Sequence, residues 1–303
     1  MASAGMRRRL AFGLAFGLAM AHAGVAGAGQ AKQEVSGFRF QIVTGDDSGL
    51  TRRIADDLYK RLVPIAAMFR TELAQRRRMV YVAIGPVALR DALARKADCV
   101  IISAYTSSQV WHAVMAAVPP ARAALASAVY AEPAPADQLR LAALLYKRPV
   151  RIAAIIGNDT AFLKPVLHGA VEVEEFAPGD DINRVLNRIG QAEALLAMPD
   201  SGVYTTENIR NILLSTYRHK QAVIGFSADM VKAGALASTY SEIEDINAQV
   251  AEMAAAFVAS GELERPQFPR YFNTIVNDGV ARSLEIDVDD TARGFARHPT
   301  PKR

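Results

Sequence analysis

The sequence predicts an α/β fold with parallel sheets divided between two lobes. Three observations carry this. Short apolar runs alternate with helical patterns from Phe38 onward. The proline-broken segment "YAEPAPADQ", Tyr130 to Gln138, interrupts that alternation near the middle of the chain and reads as a first crossing between lobes. Glycine and polar turn residues follow one apolar run after another, where wound sheets open their ligand crevices.

In order, strands are expected at "FRFQIVT", "MVYVAIG", "DCVIISAY", "SAVYA", "VRIAAIIG", "VEVEEFA", "EALLAMP", "QAVIGFS", "ALASTY" and "YFNTIVN". Between them, Leu50, Ile54, Leu58 and Leu62 recur every fourth residue, and Ile243, Ile246, Val250, Met253 and Phe257 at threes and fours. Each set makes one buried helical face. Gly261 stands where a glycine ends the second of these helices, and "DINRVLNRI" is bracketed by an Asp180 or Asp181 cap and Gly190.

At the N-terminus, Arg7, Arg8 and Arg9 precede the apolar run "LAFGLAFGLAM" and then small residues. The run is about a dozen residues, short of the roughly 20 that cross a bilayer, so residues 1–28 are expected to be a cleaved secretory signal peptide. The mature chain is then expected to be soluble and periplasmic. No cysteine near the run could carry a lipid anchor; Cys99 is the one cysteine and is expected as a small buried hydrophobe. Losing the three signal arginines reduces 35 basic residues to 32, against 31 acidic ones, which excludes a strongly basic nucleic-acid surface. The basic tail from 291 to 303 is expected to be flexible.

The stretch Gly45-Asp46-Asp47-Ser48-Gly49 admits three roles. As a phosphate cradle it would set two carboxylates against the phosphate; as a catalytic pair, its adjacent acids would point in different directions. The remaining role is a helix cap, through Asp47 or Ser48, that also rims a ligand cleft. Equivalent loops follow the later strands: Gly85-Pro86, Tyr105-Thr106-Ser107, Gly157-Asn158-Asp159, Pro199-Asp200-Ser201 and Ser227. Nucleophile-elbow, zincin, paired-cysteine and Walker motifs are absent, and His112, His168 and His219 lack ligand spacing. Neither an enzyme, a metal site nor a cofactor is expected, and Trp111 is expected to serve packing.

From Ala194 to Asn277 the run "ALLAMPDSGVYTTENIRNILLSTYRHKQAVIGFSADMVKAGALASTY" and then "YFNTIVNDGVARSLEIDV" resembles the substrate-binding proteins of a bacterial ABC transporter family with the type I periplasmic-binding fold. Upstream, "VAIGPVALRDAL" resembles that family's Gly-x-x-Ala segment and "DQLRLAALLYKRPVRIAAIIGND" its entry into the second lobe. The resemblance implies two Rossmann-like lobes joined by three crossovers, here Pro133 to Asp137, Leu236 to Tyr240 and Arg265 to Phe272. Lobe one would be 36–130 with 238–262, and lobe two 131–237 with 263–290.

It further implies capture of a small polar or amino-acid-like solute and delivery to a membrane permease, by a monomer that binds no nucleic acid. A sensory or accessory module reporting to a membrane partner is the alternative. Asp200 would hold the ligand's ammonium, and the helix starts behind Gly45, Asp46 and Ser48 or behind Gly85 and Pro86 its carboxylate. Tyr105, Thr106, Ser201, Ser227, Thr239 and Tyr240 complete the expected ligand-binding set. The chain departs from the family in two places. "TELAQRRRM" leads straight into a strand where an extra strand is expected, and "SAYTSSQVW" lacks an Asp-Pro.

Overall fold

The computed structural model describes residues 40–68, 79–95 and 99–300. The expected signal peptide over 1–28 lies outside these residues. The expected strands all form: β1 Phe40–Thr44, β2 Met79–Ile84, β3 Cys99–Thr106, β4 Ala126–Tyr130, β5 Ile152–Ile156, β6 Glu172–Glu175, β7 Ala194–Leu196, β8 Ala222–Ile224, β9 Ala237–Tyr240 and β10 Asn273–Val276. Among the described residues, the helices of eight residues or more are α1 Gly49–Met68, α2 Gly85–Ala94, α3 Ser108–Ala116, α4 Pro135–Tyr146, α5 Thr206–Arg218 and α6 Ile243–Ser260.

Two sheets result. The first runs β1-β2-β3-β4, all parallel, and the second β10-β9-β8-β7-β5-β6, parallel except for β10. Most of the parallel strands read as near-continuous apolar runs because helices cover both faces, while the edge strand β6, Glu-Val-Glu-Glu, is largely exposed. On one face of the first sheet, Leu58 and Leu62 of α1 meet Val250, Met253 and Phe257 of α6 above Ile42, Val82 and Ile102. On the other, Leu89 and Trp111 pack with Cys99 and Tyr81, so Trp111 is core, and Cys99 is fully buried. Separate clusters fill the two faces of the second sheet.

Three boundaries differ from expectation. Leu236 to Tyr240 is no crossover, because β9 belongs to the second sheet and pairs with β8 and β10. The chain crosses only after Tyr240, so lobe one regains it at α6 rather than at 238. The tail is also ordered beyond 291. Asp289 caps the short helix Asp290–Arg293 by accepting from Ala292 N at 2.9 Å, Ala292 is fully buried, and Phe295 lies 5.1 Å from Phe272, ring centroid to ring centroid. Two apolar anchors outweigh the basic composition that reads as a flexible end. Gln267 crosses differently again, pairing its backbone with Ala128 and Tyr130 at the edge of the first sheet.

Buried amides fasten the crossings. Gln138 of α4 donates to Gly225 O (2.8 Å) and accepts from Thr239 N (3.0 Å), while Gln249 of α6 donates to Phe268 O and accepts from Arg270 N.

Candidate functional site

Strand order locates the site. In the second sheet β6 lies on one side of β5 and β7 on the other, so the chain reverses direction across the sheet at β5. The loops leaving the carboxyl ends of β5 and β7 therefore diverge and leave a crevice, the position where wound sheets bind ligands. A cavity of about 210 Å³ occupies it, lined by Gly157, Asn158, Asp159, Phe176, Pro178, Asp200, Ser201 and Gly202. The first sheet is sequential in order and has no such reversal among the described residues. A larger groove of about 500 Å³ lies elsewhere, along Ile209, Leu213 and Tyr217 of α5, and contains none of the strand-end loops.

Asp200 stands in the cavity wall, yet it is only 2% exposed and its carboxylate is engaged by the chain. Oδ1 accepts from Gly202 N (3.0 Å) and Val203 N (3.1 Å); Oδ2 accepts from Thr160 N (3.2 Å) and Thr160 Oγ1 (2.8 Å). It clasps the β5 and β7 loops together, where the sequence suggested an acid free for an ammonium. Gly157 is required beneath it, since a Cβ there would come within 2.5 Å of Asp200 Oδ1.

Asp159, which the sequence placed in a loop but not among the binding residues, is the exposed acid of the cavity. Ser201 donates to its Oδ2 through both its backbone N–H and its hydroxyl. No local motif distinguishes Asp159 from Asp200. Only the tertiary clasp on Thr160 does.

The other expected residues divide between capping and packing. At the start of α1, Ser48 Oγ accepts from Thr51 N at 3.2 Å, and Asp46 Oδ1 accepts from Ser48 N at 2.9 Å and Thr51 Oγ1 at 2.7 Å. The Ser48 amide and the Thr51 hydroxyl hold the Asp46 carboxyl below the ordinary range. Gly45 packs on Val87, where a Cβ would sit 2.6 Å from Val87 Cβ, and Gly85 takes φ +80° ahead of Pro86.

Tyr105 leaves the cleft. Its own φ of +59° and a register shift in β3 beside it accompany a side chain turned toward α6, where its hydroxyl donates to Asn247 Oδ1 at 2.8 Å. Thr106 is buried against Ser103. Ser227 caps the short helix Ala228–Ala233 through Met230 N, Thr239 is buried, and Tyr240 pairs with Asn273 at the sheet edge.

Where the two sheets' strand-end segments approach one another, the His112 ring of α3 lies 4.0 Å from that of Phe162, which follows β5. Partial burial there lowers the His112 pKa and favours neutral imidazole. Glu132, just beyond β4, is 5% exposed, and both its carboxylate oxygens accept from Ser108 N (2.9 and 3.1 Å) at the head of α3. Burial raises its pKa, with the Ser108 hydrogen bonds opposing.

No family model matches the chain, and no curated protein does. Solved structures do. A ligand-free, open substrate binding protein with adhesive properties from Clostridium difficile is 14% identical and aligns over 83% of this chain and 96% of its own, at a TM-score of 0.56. The ABC domain in complex with L-Trp from Streptococcus pneumonia is 14% identical over 84% and 97%, at 0.51. A conserved domain protein from Vibrio cholerae is 17% identical over 71% and 77%, at 0.50. With its two wound sheets and strand-end crevice, the chain has the two-lobe α/β fold of the type I-like periplasmic binding proteins.

Proposed function

We propose that the chain is the solute-binding component of an ABC-type uptake system, taking a small polar or amino-acid-like solute between two hinged lobes. The observation that carries this is the cavity at the strand-order reversal of the second sheet, walled by Asp159, Phe176 and Ser201. One lobe is 40–130 with α6 and the segment that follows it up to Gln267, the other the rest of the described chain. The hinge is the three crossings, near Glu132, after Tyr240 and after Gln267.

Binding drives closure if contacts are made only in the closed state, and a shift from 1:99 to 99:1 needs about 5.5 kcal/mol of differential affinity. That is within reach of several charged hydrogen bonds. The solved structures the chain resembles, a substrate binding protein and a domain in complex with L-Trp, support binding without catalysis. The sequence features of residues 1–28 support export to the periplasm; delivery to a membrane permease by a monomer completes this reading.

The test is thermal unfolding and small-angle X-ray scattering against a panel of small solutes. Ligand at a hundred times its Kd adds about 2.7 kcal/mol of stability, and closure reduces the radius of gyration. A panel without either response overturns the reading. The internal engagement of Asp200 favours a second reading, a sensory module reporting to a membrane partner. A deletion strain that loses signalling and keeps uptake would select it.

A further inference from the structure

We infer that the cleft takes a small cationic amine and that Asp159 holds it. This rests on the binding reading above and narrows its ligand. Wound α/β lobes hold anions on the free backbone N–H groups at their strand-end loops. In this chain its own carboxylates take several of those groups. Asp46 accepts from Ser48 N at the head of α1, Glu132 from Ser108 N at the head of α3, and Asp200 from Thr160, Gly202 and Val203 N in the second sheet. At the head of α2, Pro86 removes one of the first-turn donors.

The cavity itself has no basic side chain in its lining, and its two charged residues, Asp159 and Asp200, are both acidic. Asp200 is saturated by the chain. Asp159 is exposed, and its bonds from Ser201 both reach Oδ2, leaving Oδ1 with no donor among the described residues. An ammonium there gains a charge-assisted hydrogen bond, and Phe176 in the same wall adds an aromatic surface of the kind cations favour. In this cavity a ligand carboxylate meets no cation, and the Ser201 and Gly202 amides already serve Asp159 and Asp200. The volume of about 210 Å³ lies below the roughly 300–1,000 Å³ of drug-sized pockets, which restricts the amine to a small one.

The experiment is calorimetric titration of the purified chain with putrescine, agmatine and choline, against acetate, glutamate, phenylalanine and ribose, with scattering to read closure. At least one amine is expected to bind and close the protein. Asp159→Asn should weaken its Kd by about ten-fold or more at unchanged thermal stability of the free protein. Closure by phenylalanine, glutamate, acetate or ribose with no response to the amines overturns the cation inference while leaving the binding reading standing. A carboxylate-bearing probe that binds as tightly as the best amine overturns it as well. Amine binding untouched by Asp159→Asn overturns the assignment of Asp159. Silence from every probe, with no closure, overturns the inference and the binding reading together.

Discussion

Two neighbouring acids of one cavity do different work. Asp200 answers three backbone donors and a threonine hydroxyl, whereas Asp159 answers one serine and faces solvent. Removing a buried acceptor leaves its donors unsatisfied, at about 1–3 kcal/mol for each desolvated group. Asp200→Ala should therefore lower stability by about 3 kcal/mol or more in chemical denaturation. Asp200→Asn should cost less, because its amide oxygen can still accept from Gly202 and Val203. Equal losses for the two variants would contradict the clasp. Loss of ligand binding in Asp200→Ala consequently reports a collapsed loop, and Asp159→Asn is the cleaner probe of the cavity.

At the scale of elements, α3 is held at its head by a residue from the first crossing. Glu132 is buried there, so its carboxyl keeps its proton to higher pH than the ordinary 4.5 of the unfolded chain. Its contribution to stability is thus fully present below the unfolded value and is lost as pH rises through the folded one. Glu132→Gln should flatten the fall in stability as pH rises above 4.5 while keeping α3 capped through its amide oxygen. Denaturation midpoints that keep their full slope in the variant would refute this.

The elements themselves were legible because most central strands are short apolar runs and each long helix keeps one apolar face. The roles of Tyr105, Asn247, Gln138 and Gln249 were not. Local sequence gives polar residues near a turn no sign that a helix distant in the chain will bury them. The reversal at β5 was equally hidden, since pairing order is decided between strands. The tail misled because charge dominates its composition, while two apolar residues decide its placement.

At the scale of the molecule, the first sheet is assembled from one stretch of chain and covered by another. β4 ends at Tyr130, but the helix that completes the core over Leu58 and Leu62 is α6, which begins at Ile243 after β9 has joined the second sheet. On a ribosome this ordering matters. The first lobe emerges with an apolar face bare and cannot finish until nearly all of the second has been made, which leaves an exposed surface for chaperones during synthesis. A fragment of residues 40–131 should accordingly show no cooperative unfolding, and a circular permutant that places 241–262 ahead of residue 40 should restore it. Order of translation, and not only stability of the finished protein, then governs how much of this chain reaches its native state.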